Sequence, residues 1–447
     1  AIRFDAAAAG AAMPALVAPP YDVIDAARRD KLAAMSPYNV VRIDLPEKSE
    51  FPGAKDIYAA SAGLFEKWQA AGVLKTDPQP GVYLYSQQFR LMPGGPVFTR
   101  TGILCALRNE RYGGSILPHE RTLRGPKLDR LNLMRATESQ LSPIFLIAPD
   151  EGGISQWIAA AGKPAAGSHF TAVAAKEDLA GPTTETLTPV FDPEQIGALE
   201  KLIAARKLYI ADGHHRYETS IAYRDERYEK LGGAADEKGP VQHPWDLTLA
   251  MIVPQSDPGL VILPTHRLLH DVPPEKIAGL LEKLEANFTV TPSDAATIAK
   301  IGSEPPVGPM KVGLAVPGGT HSAPPRCFVV TLKNAEAMAQ RCSDRKPAWR
   351  ALDLAVLHTL ILEDLCGIDA VKLEKKTNIA YIQDPRVAAG SPGNVHANYN
   401  VQAAMIVRPT SLTQLFAVAD AGEVMPQKST FFYPKLVTGH VIYSVKE

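Results

Sequence analysis

Along the first hundred residues the apolar positions recur once at helical spacing and then cluster as strands do. In DIYAASAGLFEKWQAAGVL, residues 56–74, Tyr58, Leu64, Trp68 and Val73 fall near a 3.6-residue period and the run stops at Gly72. That pattern predicts an amphipathic helix. PGVYLYSQQF (80–89) and FTRTGILCAL (98–107) are rich in aromatic and branched residues, and MPGGP (92–96) between them forms a turn. The pair reads as a hairpin.

Residues 150–200, with GKPAAGSH and LAGPTTET, carry few strong signals and are expected to be an insertion or irregular connection. From residue 201 the pattern sharpens in KLIAARKLYIADGHHRYETSIAYRDERYEKLGG. A short helix, an apolar strand, a tight turn and a helix ending at Gly232 follow one another. Further on, GSEPPVGP (302–309) and PGGTHSAPP (317–325) have linker composition and suggest a boundary near residue 295. There are no repeats and no coiled-coil heptads.

Composition narrows the class. At 447 residues, 46% hydrophobic and 21% charged, the chain has the make-up of a globular protein of two or three domains. A formal net charge of −1 gives no field to attract a nucleic-acid backbone or an anionic membrane, so neither is an expected partner. The four cysteines, Cys105, Cys327, Cys342 and Cys366, lack C-x-x-C spacing and read as reduced thiols. The alanine-rich residues 6–18 follow Asp5 and are only weakly apolar, and no run approaches the roughly 20 apolar residues of a membrane span. A cytoplasmic location is expected.

The candidate chemistry centres on ADGHHRYET, residues 211–219. A helix starting near His214 leaves its first N–H groups unpaired and carries partial positive charge, so its start receives anions. Gly213 lets the backbone approach closely, and His214, His215 and Arg216 add donors. Asp212 can hold a divalent cation or orient a histidine. Taken singly, each of these is an N-cap, a turn residue or a surface group. Four together after a buried strand read as a phosphate site. Zinc is a weaker alternative, because neighbouring histidines seldom point the same way and no third ligand lies nearby.

A second cluster, LPHERTLRGPKLDR (117–130), is not the H-E-x-x-H metalloprotease motif, because Leu123 stands four after His119. Glu120 in this basic company can stay ionised and accept a hydroxyl proton, though a solvated charged turn explains the residues equally well. In a third stretch, GEVMPQKSTFFYPK, Lys428, Ser429 and Thr430 sit between prolines and aromatics, and an ordered terminal strand is the simpler reading. APPYDVI (18–24), SPYNVVRID (36–44) and LPTHRLL (263–269) look like rigid turns joined to strands. Their polar members Tyr21, Asp22, Asn39, His266 and Arg267 are candidates to line a cleft.

Taken in order, APPYD, SPYNVVR, LPHERT, ADGHHRYET, LPTHR and MPQKSTFFYPK resemble the signature set of a large bacterial and archaeal family. It is catalogued as a domain of unknown function, sometimes labelled SerC-like, and the resemblance covers nearly the whole chain. More distantly, the chain resembles the free-serine kinases, which have a ParB-like nucleotide-binding domain and convert L-serine to O-phospho-L-serine. The shared landmarks are Pro118-His119-Glu120, Asp212 through Tyr217, and Gly422-Glu423-Val424 with Lys428-Ser429-Thr430. Two departures stand out. Phe431 and Phe432 replace an Arg-His pair, so a contact to a serine carboxylate must come from elsewhere or the substrate differs, and the interval between the first two landmarks is longer.

The resemblance implies an α+β fold: a ParB/sulfiredoxin-like nucleotide-binding core at 96–294 with an insertion at about 150–200. An N-terminal extension (1–95) would pack on it, and a smaller C-terminal α/β domain (295–447) would contribute to the substrate site. It implies that Glu120 is the base on the serine hydroxyl and that His119 assists it. Asp212, Gly213, His214, His215 and Arg216 would hold the phosphates of ATP or ADP with Mg²⁺, Asp212 being the metal ligand. Lys428, Ser429 and Thr430 would close over an L-serine-like substrate. The rival expectations are a ParB-like nucleotide-binding or nucleotide-hydrolysing regulator without a metabolite acceptor, and a metal-dependent hydrolase built on His119, His214 and His215.

Overall fold

The computed structural model describes residues 1–122, 124–161, 169–171, 181, 183–204, 206–236, 239–318, 323–396 and 399–447. The chain is a mixed α+β structure that divides into two compact units. The first comprises Ala1–Pro118, Thr122–Val261 and Pro434–Glu447, and the second His119–Arg121 and Ile262–Tyr433.

The first unit is built on an eight-stranded mixed sheet. Its order is Ile116–Leu117, Leu208–Asp212, Ile144–Ala148, Leu247–Pro254, Phe98–Arg108, Val82–Phe89, Thr184–Val190 and His169–Thr171. The central strands Ile144–Ala148 and Leu247–Pro254 run parallel to each other and are almost wholly buried. Such strands need apolar residues on both faces, which is why IFLIA and LTLAMIVP do not alternate. The expected hairpin forms, with Phe89 opposite Phe98 and Val82–Phe89 antiparallel to Phe98–Arg108. Gln87 stands opposite Arg100 on one side and Glu185 on the other, so three polar side chains form one row across three strands.

The expected helix is Ile57–Ala70, started by Asp56, whose carboxylate accepts from the Tyr58 and Ala59 N–H groups. Its buried residues Ser61, Phe65 and Trp68 follow helical spacing; Phe65 and Trp68 join a core with Phe4, Leu32, Val41 and Leu74, and Ser61 Oγ donates to the Ile43 carbonyl. The C-terminal stretch 434–447 belongs to this unit. Ile442 pairs with Ile2, and Tyr443–Ser444 pairs antiparallel with Ser139–Gln140.

The second unit carries a six-stranded antiparallel sheet in the order Phe288–Ser293, Arg326–Leu332, Lys311–Val316, Ala403–Val407, His266–Leu269 and Ile379–Ile382. The short helices Ala295–Ile301 and Pro385–Gly390 cover one face, burying Leu268, Ile298, Ile301, Ala388, Ala404 and Ile406. Among the described residues no helix is long and apolar enough to cross a membrane.

Two regions differ from the sequence expectation. Residues 150–200 hold regular elements, the helix Gly153–Ala160, the strand Thr184–Val190 and the start of the helix Pro193–Ala204; residues 162–168 of GKPAAGSH lie outside the described residues. Ile154, Trp157 and Leu199 from these elements are buried in the core of the first unit. The stretch GSEPPVGP, taken as a sign of a boundary near 295, is instead a connection inside the second unit, between Ala295–Ile301 and Lys311–Val316, and the units meet in sequence at Val261 and Ile262. Proline and glycine mark turns within a domain as readily as linkers between domains.

Candidate functional site

The strand Leu208–Asp212 lies second in its sheet, with Leu208, Tyr209, Ile210 and Ala211 buried, and brings Asp212 to the sheet's end. Gly213 follows at φ 92°, a left-handed conformation that glycine takes without strain, and the 17-residue helix His214–Lys230 begins at the next residue. A side chain at 213 would also crowd the Arg216 guanidinium, since a Cβ there would lie 3.0 Å from Nη2.

The helix is fixed along its buried face. The Tyr217 hydroxyl donates to the Glu110 carbonyl at 2.6 Å, and Arg224 Nη1 donates to the Asn109 carbonyl at 2.9 Å. Asn109 Nδ2 donates to Ser220 Oγ at 2.9 Å. Full burial of Tyr217 adds about 2 kcal/mol of apolar stabilisation. The start of the helix is therefore held rigidly against the sheet.

Asp212 is flanked by two cations. Arg216 Nη2 donates to Oδ2 at 2.7 Å across one helical turn, and Lys435 Nζ pairs with Oδ1. Burial alone would raise the Asp212 carboxyl, but Lys435, Arg216 and then His214 outweigh it and hold it well below the usual carboxylate range. Burial likewise works against the Lys435 ammonium, and Asp212 overcomes it, raising its pKa. His214 is buried, and the His215 carbonyl accepts from Thr219 Oγ1 at 2.8 Å.

Lys435 is placed by the polar row of the sheet. Gln87 Nε2 donates to the Lys435 carbonyl at 3.2 Å, and Arg100 Nη2 donates to the Pro434 carbonyl at 2.5 Å. Gln87 Nε2 also donates to Glu185 Oε1 at 2.9 Å, and Glu185 pairs with His440. Burial lowers the Arg100 guanidinium to about 10, still charged at neutral pH.

Both oxygens of Asp212 are taken by cations, and among the described residues no three His, Cys, Asp or Glu side chains are grouped to hold a metal. The set therefore does not fit a resident Mg²⁺ or Zn²⁺; it fits an anion, which two cations and a helix start attract.

Next to Arg216 lies a pocket of about 50 Å³, lined among others by Tyr21, Asp44, Arg130, Ser142 and Arg216. Arg130 Nη1 donates to Asp44 Oδ1 at 2.8 Å and its guanidinium stacks 4.4 Å from the Tyr21 ring centre. Burial raises the Tyr21 phenol to about 12, so it remains a neutral hydroxyl. APPYD, SPYNVVRID, the end of LPHERTLRGPKLDR and DGHHR thus meet in one place.

In the second unit, His119 is buried and its Nε2 lies 2.9 Å from Thr430 Oγ1, while its carbonyl accepts from the Met425 N–H at 2.8 Å. Its ring meets Phe432 edge-on at 6.3 Å. Glu120 is half-buried and acts electrostatically on the Tyr381 hydroxyl, which burial raises, Arg267 lowers and Glu120 raises further. Lys428 is exposed at φ 55°, and its carbonyl accepts from Arg267 Nη2 at 3.1 Å. Ser429 Oγ donates to the Pro426 carbonyl at 2.5 Å, and the Ser429 carbonyl accepts from Thr410 Oγ1 at 2.8 Å. The Glu423 carboxylate accepts from the Lys346 N–H at 3.0 Å and pairs with Arg345.

The expected site residues thus form two groups. Asp212, Gly213, His214, His215 and Arg216 stand together in the first unit; His119, Glu120, Lys428, Ser429 and Thr430 belong to the second. Sequence reasoning passed over Lys435, whose partner lies 223 positions away. The signal was there in FFYPKLV, a lone lysine in an apolar run, which in a buried stretch demands a carboxylate. Arg267, a suspected cleft residue, donates to the Gln427 and Lys428 carbonyls and so supports the turn that presents Lys428.

A comparison with curated proteins found no match. Among solved structures, a mutant of a free serine kinase in complex with ADP is similar over 76% of this chain and 92% of its own, at 12% identity and a TM-score of 0.33. A conserved hypothetical protein from Pyrococcus furiosus is similar over 75% of this chain and 92% of its own, at 12% identity and a TM-score of 0.31. SbnI with a C-terminal truncation, from Staphylococcus aureus, is similar over 75% and 85%, at 10% identity and a TM-score of 0.33. The family model described as "Protein of unknown function (DUF1015)" matches residues 1–355, and the chain belongs to that family.

Proposed function

We propose that the protein is a small-molecule kinase that transfers a phosphoryl group from ATP or ADP to the hydroxyl of L-serine or a similar hydroxy amino acid. The observation that carries this reading is the group of Asp212, Arg216 and Lys435 at the start of a long, rigidly held helix. Two cations kept in place by one buried carboxylate, at the positive end of a helix dipole, suit a polyphosphate. The ordered motifs shared with the free-serine kinases support the choice of acceptor.

In this reading Arg216, Lys435, His214 and His215 neutralise charge on the transferred group, the role that preorganised donors fill in phosphoryl transfer. Glu120 takes the proton as the hydroxyl oxygen bonds to the terminal phosphorus and the bond from that phosphorus to the leaving ADP (from ATP) or AMP (from ADP) breaks. His119, steadied by Thr430, assists Glu120. The nucleotide would arrive as its Mg²⁺ complex. A ParB-like nucleotide-binding topology for the first unit, and a cytoplasmic location, are parts of the same proposal.

The test is incubation with Mg²⁺, ATP or ADP and a panel of hydroxy amino acids, followed by phosphorus NMR. A new phosphomonoester signal that requires one amino acid is expected. Nucleotide hydrolysis indifferent to every amino acid would overturn the kinase reading in favour of a nucleotide-binding regulator.

A further inference from the structure

Among the described residues four that are not glycine have a left-handed backbone, and two of them are lysines of the second unit, Lys376 at φ 54° and Lys428 at φ 55°. Lys376 ends the short helix Ala370–Lys375, a position that glycine commonly fills because it takes this conformation without strain. Lys428 lies in the turn whose carbonyls at Gln427 and Lys428 accept from Arg267. Both lysines are exposed, and among the described residues neither ammonium has a hydrogen-bond or ion-pair partner.

The fold brings the two together. Arg267 stands opposite Tyr381 where His266–Leu269 pairs with the edge strand Ile379–Ile382, and its guanidinium lies 5.5 Å from the Tyr381 ring centre. The segment that carries Lys376 runs directly into that edge strand, and Arg267 reaches from the sheet to the turn of Lys428. The ammoniums are close enough to repel, for partial desolvation and, after it, the Lys428 charge lower the Lys376 pKa. Glu120 acts electrostatically on the same Tyr381 hydroxyl. Two strained backbones that hold two unpaired like charges together are of the kind that persists at ligand-binding sites.

The charges define the ligand. Two ammoniums and the Glu120 carboxylate leave a single positive charge, which one carboxylate neutralises and a phosphate dianion overshoots. Arg267 is fully buried with both Nη atoms on carbonyls, and Phe431 and Phe432 carry no charge, so none of these takes that role. We infer that Lys376 and Lys428 together bind the carboxylate of a small hydroxy acid or hydroxy amino acid. Each ammonium donates a charge-assisted hydrogen bond to it. The carboxylate stands on the lysine pair; that the ligand's hydroxyl accepts a phosphoryl group beside Glu120 rests on the kinase reading.

The experiment is calorimetric titration of the full-length protein with L-serine, L-threonine and D-glycerate, against ethanolamine, which lacks the carboxylate, and inorganic phosphate. Binding of at least one hydroxy carboxylate, and no binding of ethanolamine, is expected. Affinity should fall about tenfold or more in Lys376→Gly and in Lys428→Gly, the loss of one charge-assisted bond, and stay within about threefold in Lys376→Arg. Glycine suits both backbones, so these variants keep the fold. No hydroxy carboxylate bound by the wild type, or wild-type affinity in either glycine variant, overturns the inference. So does binding of inorganic phosphate in place of the carboxylates. Carboxylate binding that needs both lysines, without phosphoryl transfer from ATP or ADP, would overturn the kinase reading alone. Transfer with an unchanged KM for the amino acid in either glycine variant would overturn the lysine pair alone.

Discussion

Arg216 reaches back one helical turn to Asp212, Nη2 to Oδ2 at 2.7 Å, and the same carboxylate holds Lys435 on its other oxygen. One anion thus orders two cations from segments more than two hundred residues apart. Replacing Lys435 by Met should leave Asp212 underpaired and destabilise the protein by about 3 kcal/mol in urea unfolding. Adding Asp212→Asn to that variant should recover part of the loss, since the buried charge is then gone. A stability unchanged in Lys435→Met would show that the pair contributes nothing.

The same group predicts an acid limit. Asp212 has a depressed pKa, so its stabilisation is fully present above the ordinary carboxylate value, about 4, and drains away as pH falls below it toward the folded-state value. Unfolding free energy measured from pH 7 to pH 2 should therefore drop more steeply below pH 4 in the wild type than in Asp212→Asn.

A second acid-sensitive element lies in the other unit. His266 is fully buried, its Nδ1 accepts from the Val407 N–H at 3.2 Å, and burial followed by Arg267 lowers its pKa to about 3. The unfolded chain takes up that proton near pH 6.5 and the folded one only near 3, so stability falls as pH drops through this window. His266→Asn keeps an acceptor for Val407 and should flatten the pH dependence between 6.5 and 4. An identical slope in that variant would remove His266 from the account.

Gly213→Ala tests the loop itself. The new methyl would sit at φ 92° and 3.0 Å from Arg216 Nη2, so the backbone must strain and the guanidinium must move. A loss of about 1–2 kcal/mol in stability is expected, with nucleotide affinity reduced at least tenfold. Unchanged nucleotide affinity would separate the loop from phosphate binding.

The sequence displayed the strand, turn and helix at 208–230 because an apolar run, a glycine and a 3.6-residue period are all local signals. It also displayed the hairpin, since Phe89 and Phe98 flank an obvious turn. Lys435 stayed hidden because its meaning lies in a partner far along the chain, and a lysine after proline resembles any solvated lysine. The pocket stayed hidden for the same reason: Tyr21, Asp44, Arg130 and Arg216 come from four separate motifs that only the fold assembles. Arg267 of LPTHR was equally opaque, because the backbone carbonyls of Gln427 and Lys428 that it donates to lie 160 and 161 positions away.

Phosphoryl transfer with Glu120 as base is tested by comparing the wild type with Glu120→Gln. Amino-acid phosphorylation would be followed by phosphorus NMR alongside nucleotide affinity by calorimetry. A phosphomonoester formed by the wild type, turnover lower by about 10² to 10⁴ in Glu120→Gln, and nucleotide affinity within about threefold of wild type are expected. Equal turnover in the two proteins, or a phosphomonoester formed by neither, would contradict it.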